Sequence, residues 1–325
     1  MENLRKIPYI LVLLGVFLPR IQGSTTQVPS GRIFPGVGAF IFRDRAGDPS
    51  KNITVWYYRP SGYNENSPIL FILHGCFRNG DYYRDAWIEH AENNNCLIVA
   101  PEYDDRQFPG ENGYNFGYMK NFFGLNRGRD KWAFLVIEHL FDEVRRITGN
   151  HSERYSIYGH SAGAQFVHRL VMCLPEARID QAVAASAGTY LMPVSNVAFP
   201  YGMKNSGLSN LHLKQAFAKK LLIIVGEKDN KTDADYLPSD SGSRAQGAQR
   251  VERAFNFYRT ARAGAARLNI PFAWEIQTVP NADHGNARLC AAATNLLFPR
   301  ITPESKDKAL ATAETKKDKL EPAVH

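Results

Sequence analysis

Tyr155-Ser-Ile-Tyr-Gly159-His160-Ser161-Ala162-Gly163 is the stretch on which the fold turns. A short apolar and aromatic run with a strand-like pattern is cut by Gly-x-Ser-x-Gly, and apolar residues then return at helical spacing from Ala162 to Met172. Strand, sharp turn and helix in that order hold a serine in strained backbone with its hydroxyl raised. Small residues on either side let strand and helix pass closely. Ser161 is the candidate nucleophile.

A serine hydroxyl needs a base, and the base needs a carboxylate that fixes its tautomer. Working outward, Leu221-Leu-Ile-Ile-Val225 reads as the second strand after the turn and sets Asp229 just past its end. The last strand, Trp274 to Val279, sets His284 just past its own end. The chain order is Ser161, Asp229, His284, the order described for α/β-hydrolases. Asp233 and Asp235, in the polar segment that follows, are rival acids. Among rival bases, His139 and His168 fall in mid-helix, His160 is the variable residue of the turn, and His90, His151, His212 and His325 follow no strand. Negative charge developing on a substrate oxygen needs backbone N–H donors. Leu73-His74-Gly75-Cys76 ends the central strand before the first covering helix, so the Cys76 amide, with Phe77 as its alternative, and the Ala162 amide are the candidate oxyanion donors. His74 and Gly75 read as turn-shaping residues.

Further out, Val37–Arg43 and Ile53–Tyr58 read as a hairpin, and Ile69–Leu73 and Leu97–Ala100 as continuous apolar strands around a helix at Asp81–Asn94. Helices are expected at Asp130–Thr148, with Gly149 as its cap, from about Ala248 to Leu268, and after His284. A further strand is expected at Ala182–Ala185. Continuous apolar strands alternating with helices mark an α/β fold, a mostly parallel sheet covered on both faces. Three connections exceed what a compact link needs: Tyr103–Arg129, Tyr190–Ser209 and Lys231–Ala245. The first two carry many aromatics and leave the sheet at its ligand-binding edge. Tyr114, Phe116, Tyr190 and Phe199 are therefore the candidate substrate-lining residues.

The 325 residues, 44% apolar and 22% charged, suit one large globular domain. Arg5 and Lys6, the apolar run Ile7–Leu18 and the small Gly23 form the layout of a secretory signal peptide over residues 1–23, with an uncleaved anchor as the alternative. Its removal lowers the formal charge from +7 to +5, and stable membrane insertion is not expected afterwards. The basic residues are scattered, which argues against a nucleic-acid partner. The catalytic domain is expected over 24–300. Residues 301–325, rich in Lys, Glu and Ala, read as a disordered charged tail.

His74-Gly75-Cys76, Gly159-His160-Ser161-Ala162-Gly163, Gly226-Glu-Lys-Asp229 and Asp283-His284 resemble secreted α/β-hydrolase esterases of the polyhydroxybutyrate depolymerase-like group, to which feruloyl and acetyl xylan esterases are related. The resemblance spans roughly residues 35 to 298. It implies hydrolysis of a small-molecule or polymeric carboxylic ester, with Ser161, Asp229 and His284 as the catalytic set and no metal or cofactor. The chain shows no accessory substrate-binding domain and lacks the tryptophan-and-glycine pattern that follows the His-containing turn in many polymer-degrading members. Two other readings are kept: a serine peptidase, and a silent binding protein of the same fold. In this fold the first and last helices cover one face. Cys76 and Cys290 are accordingly the expected disulfide, whereas Cys96, at the opposite end of its strand, lies on the order of 15 Å from Cys76, beyond the ~7 Å limit.

Overall fold

In the computed structural model, which describes residues 32–299, eight strands form one sheet: β1 (Gly36–Arg43), β2 (Asn52–Arg59), β3 (Ile69–Leu73), β4 (Leu97–Glu102), β5 (Tyr155–His160), β6 (Ile179–Ala185), β7 (Lys220–Gly226) and β8 (Glu275–Val279). The expected signal peptide and charged tail lie outside the described residues. The strand order is β1-β2-β4-β3-β5-β6-β7-β8. β1 and β2 form the expected antiparallel hairpin, β2 pairs antiparallel with β4, and the six remaining strands run parallel. This is the α/β architecture that the apolar runs predict.

The helices are α1 (Gly80–Asp85), α2 (Ile88–Asn94), α3 (Gly110–Gly113), α4 (Leu135–Thr148), α5 (Ala162–Cys173), α6 (Asn210–Ala218), α7 (Ser241–Arg244), α8 (Arg250–Leu268) and α9 (Asn286–Leu297). Successive strand side chains point to opposite faces, and β3 divides its five buried residues accordingly. Leu70 and Ile72 join the core under α1, α2 and α9, while Ile69, Phe71 and Leu73 join the larger core under α4, α5, α6 and α8. First and last helices thus share a face, as expected.

Boundaries differ in two informative places. The helix expected over Asp81–Asn94 is two helices, because the chain turns at Ala86–Trp87 and drives the fully buried Trp87 against Tyr158, ring centroids 5.0 Å apart. The helix expected from Asp130 begins at Leu135, since Trp132 is extended and the Ala133 N–H bonds Gly117 O at 2.8 Å, tying this segment to the aromatic loop before it. Gly149 caps α4 in the left-handed region at φ 68°, as its position predicts.

Candidate active site

Ser161 lies between β5 and α5 at φ 55°, ψ −112°, a conformation that non-glycine residues rarely adopt. The flanking glycines are there for space. A Cβ on Gly159 would stand 2.2 Å from Gly163 O, and one on Gly163 would stand 2.3 Å from Leu73 O. The Ser161 N–H is held by Ala185 O at 2.9 Å.

Three strand ends converge here. His284, past β8, brings Nε2 to 3.1 Å from Ser161 Oγ and Nδ1 to 2.8 Å from Asp229 Oδ2. Asp229, past β7, is buried, while the His284 side chain keeps about a third of its surface exposed. Burial alone would raise the Asp229 pKa. The bond from His284, the His284 charge and the Arg250 charge outweigh it and hold the carboxyl below its ordinary value. Asp233 and Asp235 are not among the groups bonded to the histidine.

Sequence reasoning missed Arg250 and Ser186. Arg250 is buried in the first turn of α8 and donates Nη1–H to Asp229 Oδ1 at 3.2 Å. A cation at a helix N-terminus opposes the helix dipole, so an arginine opening the helix after the acid was the available signal. Ser186, at φ 51° directly after β6, accepts the Gly226 N–H at 3.4 Å and helps hold the Asp229 pKa down. Only its place after a strand could have marked it. His160 was set aside as the turn's variable residue, yet it lies buried with its ring centroid 4.8 Å from that of His284.

The turn after β3 approaches the serine closely enough that a Cβ on Gly75 would lie 3.9 Å from Ser161 Cβ. Among the described residues, the amides of Cys76, Phe77 and Ala162 have no hydrogen-bond acceptor, so both candidate donors and the alternative are free. The expected Cys76–Cys290 bridge is not formed: all four cysteines are free. Cys76 is exposed on its turn, whereas Cys290 is buried beneath α1 and α2 with Sγ 3.5 Å from Ala86 O. Sharing a face did not bring the two side chains together. Among the described residues no three His, Cys, Asp or Glu side chains are grouped as metal ligands.

Two of the four expected lining residues need correction. Tyr114 is fully buried, stacks 5.1 Å from Tyr103 and donates its hydroxyl to His74 O at 2.8 Å, supporting the turn after β3 from below. Tyr190 is also fully buried, stacked 4.6 Å from Phe257 of α8. Both rings belong to the main core, Tyr114 under the turn after β3 and Tyr190 against α8. Phe116 and Phe199 remain half-buried and meet edge-on, centroids 6.1 Å apart, so the two loops touch through them. Each loop is tied near its start by a buried histidine. Tyr103 N–H donates to His74 Nε2 and Leu191 N–H to His168 Nε2, both at 3.0 Å. With Nε2 accepting, each ring carries its proton on Nδ1, against Gly75 O and Ala164 O.

A serine in a strained turn, with a histidine and a buried aspartate at neighbouring strand ends of a sheet so ordered, defines a hydrolase of the α/β-hydrolase fold. No family model matches the chain, and no curated protein does. Among solved structures, poly(aspartic acid) hydrolase-1 from Sphingomonas sp. KT-1 is 39% identical, with 82% of this chain and 100% of that one covered and a TM-score of 0.79. The poly(3-hydroxybutyrate) depolymerase LpqC from Bordetella parapertussis is 33% identical, with 85% and 94% covered and a TM-score of 0.78. An S-formylglutathione hydrolase from Agrobacterium tumefaciens, 16% identical over 84% and 97% with a TM-score of 0.54, shares the fold. The chain belongs to the α/β-hydrolase family of the poly(aspartic acid) hydrolase and the poly(3-hydroxybutyrate) depolymerase.

Proposed function

We propose that the protein is an exported serine hydrolase that cleaves a carboxylic ester through an acyl-serine intermediate. Ser161 Oγ attacks the ester carbonyl as His284 Nε2 takes its proton, and the amides of Cys76 and Ala162 hold the resulting oxyanion. His284 then gives the proton to the leaving alcohol. Water, deprotonated by the same nitrogen, releases the acid and restores the serine. Asp229 orients the imidazole and stabilises its charged form, and neither a metal nor a cofactor enters the scheme. Phe116 and Phe199 flank the acyl or alcohol portion. The observation that carries this reading is the unbroken line Ser161 Oγ, His284, Asp229, at 3.1 Å and 2.8 Å, on a serine held at positive φ.

A second reading, hydrolysis of the amide links of an acidic polymer, draws on the 39% identity to poly(aspartic acid) hydrolase-1 and on the net positive charge of the chain. One experiment separates them. The purified protein is given a short-chain chromogenic ester, poly(3-hydroxybutyrate) and poly(aspartic acid), with and without a serine-reactive fluorophosphonate. Ester turnover abolished by the reagent supports the first reading. Turnover of poly(aspartic acid) alone replaces it with the second, and turnover that survives the reagent defeats both.

A further inference from the structure

His160 occupies the position directly before the nucleophile, is 5% exposed, and has both ring nitrogens engaged. Its Nε2 lies 2.8 Å from the backbone carbonyl oxygen of His284. A carbonyl only accepts, so Nε2 carries the proton and Nδ1 the lone pair. The Tyr83 hydroxyl, 2.7 Å from Nδ1, is therefore the donor of that second bond. The Tyr83 oxygen in turn lies against Gly75 of the oxyanion turn, 2.7 Å from where a Cβ on that glycine would stand. One line of contacts thus joins Gly75 after β3, Tyr83 of α1, His160 at the end of β5 and the backbone of His284 after β8.

We propose that His160 is a positioning residue for His284: it clamps the backbone of the proton-accepting histidine, while Tyr83 fixes the tautomer of the clamp and ties it to the oxyanion turn. The inference rests on the reading of Ser161, His284 and Asp229 as the catalytic set. Asp229 holds the His284 ring from one side by Nδ1, and His160 holds the residue from the other by its carbonyl and by the tilted ring contact at 41°. Two such restraints define where Nε2 points, and misplacing a reacting group by 1 Å costs on the order of a hundredfold in rate. The clamp must also stay neutral, because a second cation beside His284 would oppose the imidazolium formed during acyl transfer. The groups facing it are Tyr83 from α1, His284 and Asp229 from the strand ends, and Arg250 from α8. Burial, aided by the His284 charge, lowers the His160 pKa to about 3. It remains uncharged at neutral pH.

The test uses the full chain with a short-chain chromogenic ester. Ser161→Ala comes first: ester turnover surviving in it overturns the catalytic reading and this inference with it. His160→Phe keeps a ring but has no donor, His160→Gln keeps an amide donor, and Tyr83→Phe removes one hydroxyl. We expect His160→Phe to lower kcat about tenfold to a hundredfold with KM within about twofold, and His160→Gln to recover most of the loss. Fluorophosphonate labelling of Ser161 should slow in proportion, and the acid limb of the kcat/KM profile should move. Tyr83→Phe should show a smaller effect of the same kind. A folded His160→Phe with wild-type kcat and acid limb overturns the inference alone, as does an equal loss in His160→Gln and His160→Phe. If His160→Phe does not fold, Tyr83→Phe decides, and wild-type kcat and acid limb there overturn the inference too.

Discussion

The turns after β5, β7 and β8 and the aromatic loops after β4 and β6 leave the same edge of the sheet, but they use their side chains in opposite senses. In the turns the side chains that meet stand within five residues of their strand ends. Ser161, Asp229 and His284 consequently meet one another across three strands. The loops are long enough that buried backbone must be covered and bonded. Tyr103, Tyr114 and Tyr190 are spent on that, under loops that His74 and His168 pin by a backbone amide each. A high aromatic content in a loop at a ligand-binding edge is thus evidence of packing before it is evidence of a pocket.

The comparison breaks most visibly at the turns. Ser161→Ala and His284→Ala are expected to lower kcat by about 10⁶-fold and Asp229→Ala by about 10⁴-fold, since the acid orients but transfers no proton. Ester kinetics on the three variants check this, and wild-type turnover in Asp229→Ala with a dead Asp233→Ala or Asp235→Ala would replace the acid.

The loop anchors should appear next, in the dependence of stability on pH. Burial lowers His74 and His160 to about 3 and holds His168 well below its ordinary value, while in the unfolded chain each takes a proton near the ordinary 6.5. Their contribution is complete above that value and is lost as pH falls toward 3, with a slope of up to about 4 kcal/mol per pH unit for three protons. His139 works against this trend: its bond to Asp44 raises its pKa, so its smaller contribution is present at low pH and lost as pH rises through the folded value. Urea midpoints measured between pH 7 and 4.5, above the carboxylate range, should fall steeply; a flat profile would release the loops from their histidine anchors.

Three loop substitutions sharpen the comparison further. Tyr190→Ala removes a ring stacked in the core and should cost about 3–5 kcal/mol in denaturant unfolding, with acyl-chain preference unchanged. Phe116→Ala and Phe199→Ala should show the reverse pattern, a change in acyl-chain preference of about tenfold with a smaller shift in Tm. A large loss of stability with unchanged preference in either would return that residue to the core.

Sequence alone carried the sheet, the strand ends and the three residues that meet there, because each depends on a local pattern: an apolar run, a turn and a reactive side chain just beyond it. Gly159 and Gly163 were legible for the same reason. Arg250 and His160 were not, since their roles depend on partners 21 and 124 residues away that no spacing announces. The Cys76–Cys290 pair failed at the last step. Helix placement over a face was right, but the depth of each side chain was decided by packing around Trp87 and Tyr158. The break at Ala86–Trp87 was hidden too, because a buried tryptophan can sit in a helix or in a turn between two.

Ser161 follows β5, which is flanked by β3 and β6 in the middle of the sheet, whereas His284 follows β8, among the described residues an edge strand held by β7 alone. Central strands open only with the whole fold, while edge elements open at a lower free energy. The proposed nucleophile and its proposed base therefore belong to regions with different lifetimes. On warming, ester turnover should disappear while the amides of β3, β5 and β6 still resist hydrogen exchange, and it should return on cooling faster than the globally unfolded chain refolds. In such an enzyme the working temperature limit is set by the fraying of one five-residue strand and the helix behind it, well before the sheet itself gives way.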